Sequence, residues 1–186
     1  MIILACLALG LLLRVIAGRR LPDLAHVHVR GETALLVLLV VQALLPLLHL
    51  SGTAARLGFL VWLATFPMLL GVAWVNRSQM GMVVLGVGLA LNFTVIALNG
   101  GMPVFAEAVA GVSSAAGAGA IPAGDFVHVL GTAGTRLPWL ADVIPLPGPS
   151  WLRSVPSAGD LLLYVGVMGF LVGAEPAMGE VHVKGK

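Results

Sequence analysis

Five apolar stretches, almost without charged residues, follow one another along the chain, and one gap of about sixty residues precedes the last. The stretches are Ile2–Ala17, Thr33–Leu50, Leu57–Val75, Met80–Leu98 and Leu161–Ala174. Three of them have 18 or 19 residues, close to the ~20 that a helix needs to cross ~30 Å of hydrocarbon. The pattern predicts an all-α membrane protein of about five transmembrane helices, with an extracytoplasmic cap of helix and loop between helices four and five.

Composition supports a membrane location, because 59% of the 186 residues are hydrophobic and only 10% are charged. An ordinary soluble surface cannot be built from so few charges. We therefore divide the chain into a four-helix transmembrane region (1–98), the cap (99–160), and a fifth helix with a cytoplasmic tail (161–186). No basic cluster interleaved with aromatic residues is present, so nucleic acid is not an expected partner.

The basic residues predict the orientation of the chain. No Lys or Arg precedes the first stretch, and an N-terminus outside the membrane places seven basic residues in the cytoplasm against three outside. That excess agrees with the positive-inside rule. Arg14, near the end of the first stretch, is expected to reach toward the lipid headgroups and mark the boundary.

The cap is expected to lie on the outer leaflet, partly helical and partly extended. Residues 106–120 are mostly small and predict a weak helix. Residues 121–130 predict a short helix with Asp125 and His128 on one face, three residues apart.

Polar residues at the outer end of the fourth stretch form the first candidate site. A carboxamide such as Asn92, inside an apolar span, must find a partner in another helix or a ligand. Asn99-Gly100-Gly101 is typical of a helix end, in which glycine takes the left-handed position. The alternative is ligand binding by Asn99 and the two glycine amides, with His128 and Asn92 in the same pocket.

Asp142 and Asp160 form the second candidate site, 18 residues apart at the two ends of a proline-rich loop. Two carboxylates that share a proton can activate water for peptide hydrolysis. Ser157-Ala158-Gly159-Asp160 also has the form of a capping box, in which Asp160 only stabilises the start of a helix. No metal-ligand spacing is present, so we predict no metal and no cofactor.

These motifs resemble those of an uncharacterised bacterial membrane-protein family. Its members carry an Asn-Gly-Gly-x-Met-Pro turn, a downstream histidine, a Leu-Gly-Asp-x-Ile-Pro element and a Ser-x-Gly-Asp start to the last helix. The chain has residues 99–103, His128, residues 140–145 and residues 157–160 at these places. Ala141 replaces one glycine, and the spacer before Met102 is absent. The resemblance implies a multi-pass protein of the bacterial cytoplasmic membrane and a shared site, but no activity.

A weaker similarity connects Asp142 and Asp160 to lipoprotein signal peptidases, which are membrane aspartyl proteases. Their Asn-x-Gly motif, first Asp and second Asp at the start of the last helix have a comparable order. That family places two spans between its Asn motif and its first Asp, whereas this chain places none.

Two functions follow as hypotheses. The first is a non-catalytic subunit that binds a partner or a lipid-like ligand. Its predicted partners are membrane lipids and another membrane protein, packed on Gly169 and Gly173, because small residues four apart let a helix approach closely. The alternative is an intramembrane aspartyl peptidase that uses Asp142 and Asp160.

Overall fold

A computed structural model describes residues 2–19, 29–112, 124–149 and 153–173, most of them helical. The helices are α1 (Ile2–Ile16), α2 (Glu32–Leu44), α3 (Gly52–Val75), α4 (Met82–Asn99), the short α5 (Ala106–Ala110) and α6 (Ala158–Gly173); the strands are β1 (Met102–Val104) and β2 (His128–Leu130). By length and composition, α3 and α4 are long and apolar enough to cross a membrane.

The long helices alternate in direction along the chain. At one end of the bundle, which we call the loop end, the Asn76 side chain accepts a hydrogen bond from the Arg30 amide (2.9 Å) and donates one to the Arg30 carbonyl (2.8 Å). Farther along, the Gln42 side chain of α2 contacts Thr65 of α3. These contacts require α2 and α3 to run antiparallel. The opposite end, which we call the cap end, carries the residues between α4 and α6.

Close packing of α4 on α6 depends on glycines. A Cβ atom at Gly88 would lie 2.7 Å from the Gly159 carbonyl oxygen, and one at Gly166 would lie 2.7 Å from the Leu85 amide nitrogen. Such distances exclude any larger residue without a shift of the backbone. Gly169 and Gly173 also face this chain, against Gly81 and Met80. The expected contact of another protein with Gly169 and Gly173 remains a prediction.

The predicted spans differ from the helices mainly at their ends. The second stretch is divided, because α2 ends at Leu44 and a 3-10 turn, Leu45–Leu48, follows around Pro46. Proline lacks the amide hydrogen that a continuing α-helix requires. Helices α1, α2 and α6 are also apolar, but each is shorter than a helix needs to be to cross a membrane. The structure therefore supports two candidate spans.

The prediction for Arg14 is wrong, because its side chain is buried (4% exposed) instead of reaching outward. One guanidinium nitrogen donates to the carbonyl oxygens of Leu171 and Val172, at 3.1 Å each, and Arg19 also donates to Val172. The last carbonyls of a helix lack intrahelical partners and carry partial negative charge. Arg14 thus ties α1 to the end of α6.

The cap contains a small parallel sheet, so the all-α prediction holds for the bundle but not for the cap. In the sheet, β1 pairs with β2 in the register Met102 to His128, and Val104 forms a further parallel bridge with Asp142. The helix predicted over residues 121–130 is wrong where it is described, since 128–130 form β2. Of the helix predicted over 106–120, residues 106–110 are helical. Residues 113–123 lie outside the described part.

A cluster of buried hydrophobic residues lies at the cap end, where the sheet meets the bundle. It consists of six buried side chains from α3, α4 and the cap: Trp62, Phe66, Val95, Ile96, Met102 and Val127. The rings of Trp62 and Phe66 meet edge to face, with centroids 5.1 Å apart. This packing fixes the cap on the helices, and most of these side chains also line a cavity in the bundle.

Candidate functional site

A half-open cavity of about 490 Å³ lies between α2 and α6, with α3 and α4 behind it and the cap sheet closing one end. Its volume is within the range of small-molecule sites. Its walls are mostly apolar, with Leu35, Leu39, Trp62, Phe66, Leu69, Leu85, Leu89, Leu163, Val167 and Phe170 among the lining residues. The polar lining residues are Gln42, Asn92, His128, Asp142 and Asp160.

At the cap end of this cavity, three side chains form a closed hydrogen-bonded ring. The Asn92 amide nitrogen donates to Asp160 Oδ1 (2.7 Å), and the Ser157 hydroxyl donates to Asn92 Oδ1 (3.0 Å). Ser157 Oγ accepts from the Asp160 amide, and Asp160 Oδ2 accepts from the Ser157 amide, both at 3.0 Å. The last two bonds are the capping box expected from the sequence. Asn92 links this box to α4.

Asp142 enters the cavity from the cap. Its amide donates to the Pro103 carbonyl (3.0 Å), which fixes the backbone beside β1. The side chain is 9% exposed, and its Oδ1 atom is buried without a hydrogen-bond partner. Burial, and then the nearby charge of Asp160, raise the pKa of Asp142 to about 8. An unpartnered buried carboxyl oxygen is costly, so a group that occupies the cavity would have reason to bind there.

His128 lies at the start of β2 and pairs with Asp125. His128 Nδ1 is 2.8 Å from Asp125 Oδ2, while Asp125 Oδ1 accepts from the amides of Val127 (2.8 Å) and His128 (3.1 Å). Burial raises the pKa of Asp125, but the hydrogen bonds and charge of His128 lower it more, so the pKa lies below its usual value. The predicted proximity of Asp125 and His128 is present, in a turn and not on a helix.

Asn99, Gly100 and Gly101 occupy the outer end of α4 and do not line the cavity. Gly100 has the left-handed conformation (φ 71°) that ends the helix. The Asn99 carboxamide binds both backbone groups of Arg136, at 2.8 and 2.9 Å. A Cβ atom at Gly101 would lie 2.7 Å from the Val129 side chain. The structure gives these three residues contacts within the chain, and their predicted role in ligand binding is untested.

Trp62 was not among the site residues predicted from the sequence. Its ring is 6% exposed and lines the cavity, and its indole Nε1 is buried without a hydrogen-bond partner. Tryptophan in a membrane span concentrates at the interfaces, whereas Trp62 lies ten residues inside α3. Its position inside an apolar stretch indicates that the indole N–H needs a hydrogen-bond partner within the protein or in a ligand.

Four of the predicted site residues, Asn92, His128, Asp142 and Asp160, thus line one cavity. Across the described ranges, no three His, Cys, Asp or Glu side chains are grouped as a metal ion would require. The polar groups can donate and accept hydrogen bonds at one end of an apolar channel.

Fold and site together define a mainly helical bundle with two helices that could span a membrane and a cavity that is polar at its cap end. The chain belongs to DUF5317, a family of unknown function, whose model matches residues 26–172. This confirms the predicted membership of an uncharacterised family, and the matched range includes all four motif regions. No curated protein and no solved structure matches the chain.

Proposed function

We propose that the chain is an integral protein of the bacterial cytoplasmic membrane that holds a lipid-like ligand in the cavity between α2 and α6 without chemistry of its own. The observation that carries this proposal is a long apolar cavity with unpartnered polar atoms near one end. Such a site matches a molecule with an apolar chain and a polar head.

Two features support the membrane location: the apolar side chains exposed on the helices and the distribution of arginines between the two ends of the bundle. Large apolar side chains are exposed on every long helix, for example Leu36, Leu60 and Val83. Five alternating helices would carry the chain across the bilayer with its ends on opposite sides. The loop end has four described arginines (Arg14, Arg19, Arg30 and Arg77), and the cap end has three (Arg56, Arg136 and Arg153). By the positive-inside rule, this excess supports a cytoplasmic loop end and a cap outside the membrane.

The shape of the cavity supports a chain-like ligand. Its lining residues on α4 extend from Met82 to Ile96, a distance of roughly 21 Å at ~1.5 Å per residue. This is about two-thirds of the ~30 Å hydrocarbon core. Leu39 lies on the rim, since it lines the cavity and is also 49% exposed. The gap between α2 and α6 would therefore admit a lipid chain sideways from the bilayer.

Two substitutions on one helix test this proposal. Leu39→Trp places a large ring in the cavity mouth, whereas Leu36→Trp places the same ring on the outer face of α2, where Leu36 is 63% exposed and does not line the cavity. Native mass spectrometry of protein released from detergent should show lipid retained one to one by the wild type and by Leu36→Trp, and lost from Leu39→Trp. Equal retention by both variants would remove the cavity as the binding site.

A second candidate function is supported by the two carboxyls. Asp142 and Asp160 line the same cavity, and the charge of Asp160 contributes to the raised pKa of Asp142. A protonated acid beside an ionised one is the arrangement that aspartyl peptidases use. Asp160, however, is held by the Ser157 amide and by Asn92, which favours a structural role.

Peptide hydrolysis distinguishes the two functions. Purified protein should be incubated with peptides that carry a membrane anchor, alongside Asp142→Asn and Asp160→Asn. Cleavage by the wild type that disappears in both folded variants would establish the peptidase. We expect no cleavage, and we expect Asp160→Asn to reduce the yield of folded protein.

A further inference from the structure

The charged side chains that line the cavity are acidic. Its lining includes two carboxyls, Asp142 and Asp160, and no Lys or Arg within the described chain. The remaining ionisable lining residue, His128, is paired with Asp125, which lies outside the lining. Both carboxyls belong to the cap end, where Asp160 begins α6 and Asp142 bridges to β1. An anionic headgroup would meet two acids here and no compensating cation.

The two acids differ in their hydrogen bonds. Asp160 accepts bonds on both oxygens, from the Asn92 side chain and the Ser157 amide. Asp142 Oδ1 is buried and accepts none. The arginine that follows in sequence, Arg153, is exposed and donates to the Gly148 carbonyl. Asp142 therefore lines the cavity with a carboxyl group whose Oδ1 acceptor the described residues leave unused.

We infer that the ligand of this cavity is an amphiphile with a cationic amine head, bound by its ammonium group beside Asp142 and Asp160 and with its chain between α2 and α6. This inference rests on the proposed lipid-like ligand and adds its charge. An ammonium group supplies N–H donors to the unused Oδ1 atom and an opposite charge to the acidic pair. Charge-assisted hydrogen bonds of this kind are about twice as strong as neutral ones. Trp62 and Phe66 add aromatic surface to the same cavity, which also favours a cation.

Proton release should accompany binding. The pKa of Asp142 is raised to about 8 by burial and by Asp160, so the empty cavity holds Asp142 protonated at neutral pH. An ammonium group that pairs with Asp142 must displace this proton. Amine affinity should then increase with pH up to about 8, and decrease only where the amine itself loses its proton, above ~10.

Other titratable groups lie on the elements packed around Asp142. Asp160 and Tyr164 lie on α6, and His128, with its partner Asp125, lies in the cap. Helix α4 contains no ionisable residue, and α3 contains only the exposed Arg56.

Three probes with the same chain and different heads test the inference: dodecylamine, dodecanol and dodecanoate. Equilibrium binding of each radiolabelled compound should be measured on the full chain in a non-ionic detergent at pH 8. We expect dodecylamine to bind at least ~10-fold more tightly than dodecanol, equivalent to ~1.4 kcal/mol, and dodecanoate to bind most weakly. Asp142→Asn should remove the advantage of the amine and change dodecanol binding by less than ~3-fold.

Glu107→Gln is the matched control, because Glu107 is an exposed acid of the cap that does not line the cavity. It should leave all three affinities unchanged. Equal binding of amine and alcohol by the wild type would overturn the cation inference and leave the lipid-like ligand standing. Failure of all three probes to bind would overturn both.

The wild type alone provides a second test if Asp142→Asn does not fold. The ratio of dodecylamine to dodecanol affinity should rise between pH 6 and pH 8, by up to ~10-fold per pH unit when one proton is exchanged. A ratio near one throughout this range would overturn the inference.

Discussion

Ser157→Ala tests the hydrogen-bonded ring that joins α4 to α6. The hydroxyl of Ser157 is fully buried, accepts from the Asp160 amide and donates to Asn92 Oδ1. Loss of an N-terminal cap costs about 1 kcal/mol. The substitution also leaves Asn92 Oδ1 buried without a donor, which costs about 1–3 kcal/mol. We therefore expect the free energy of unfolding to fall by roughly 2–4 kcal/mol.

Ser154→Ala is the matched control for this substitution. Its hydroxyl oxygen is also buried but has no hydrogen-bond partner, so its removal should leave the free energy of unfolding unchanged or raise it. Both variants can be unfolded by titration with a denaturing detergent and followed by tryptophan fluorescence. Equal stability of the two variants would refute the ring as a stabilising contact.

The other predictions concern close packing, pH and a buried charge. Gly159→Ala should sharply lower the yield of folded protein, because a Cβ atom there would overlap the Asn92 side chain, while Gly71→Ala, with open space around its Cβ, should leave the yield unchanged. Asp125→Asn should lower the thermal midpoint at pH 7. Since the pKa of Asp125 is depressed in the folded state, that difference should be present above about pH 4 and disappear as the pH falls through the folded pKa. Arg14→Gln should destabilise the fold more than Arg77→Gln, since Arg77 is exposed, and a stability series would show the reverse order if Arg14 were only a boundary residue.

Local spacing made parts of this site predictable. The capping box follows from Ser157 and Asp160 because both its residues lie within one helical turn. The end of α4 follows from Gly100, whose left-handed conformation few other residues adopt. The need of Asn92 for a partner also follows from its place in an apolar stretch, but the identity of that partner does not. Asp160 is 68 residues away, and only the packing of α4 on α6 brings the two together.

Other features depend on contacts that the local sequence does not contain. The spacing of Asp125 and His128 fits both a helix and a turn, and pairing of β2 with β1 decided between them. Arg14 lies near the end of an apolar stretch, a position typical of arginines that reach toward the lipid headgroups. Its side chain is buried because the end of α6 packs beside it. Such tertiary contacts override local preference, which explains why the cap was predicted least well.

Saturable labelling by a photoreactive lipid tests directly whether the cavity holds a lipid chain. A lipid with a photoreactive group in its chain should be incorporated with the protein into bilayers, illuminated, and the modified peptides mapped by mass spectrometry. If a lipid chain occupies the cavity, labelling should occur at Leu35, Leu39, Leu163, Val167 and Phe170, and excess unlabelled lipid should suppress it. Labelling spread evenly over outward apolar residues such as Leu36, Leu60 and Val61, and unaffected by the competitor, would contradict it.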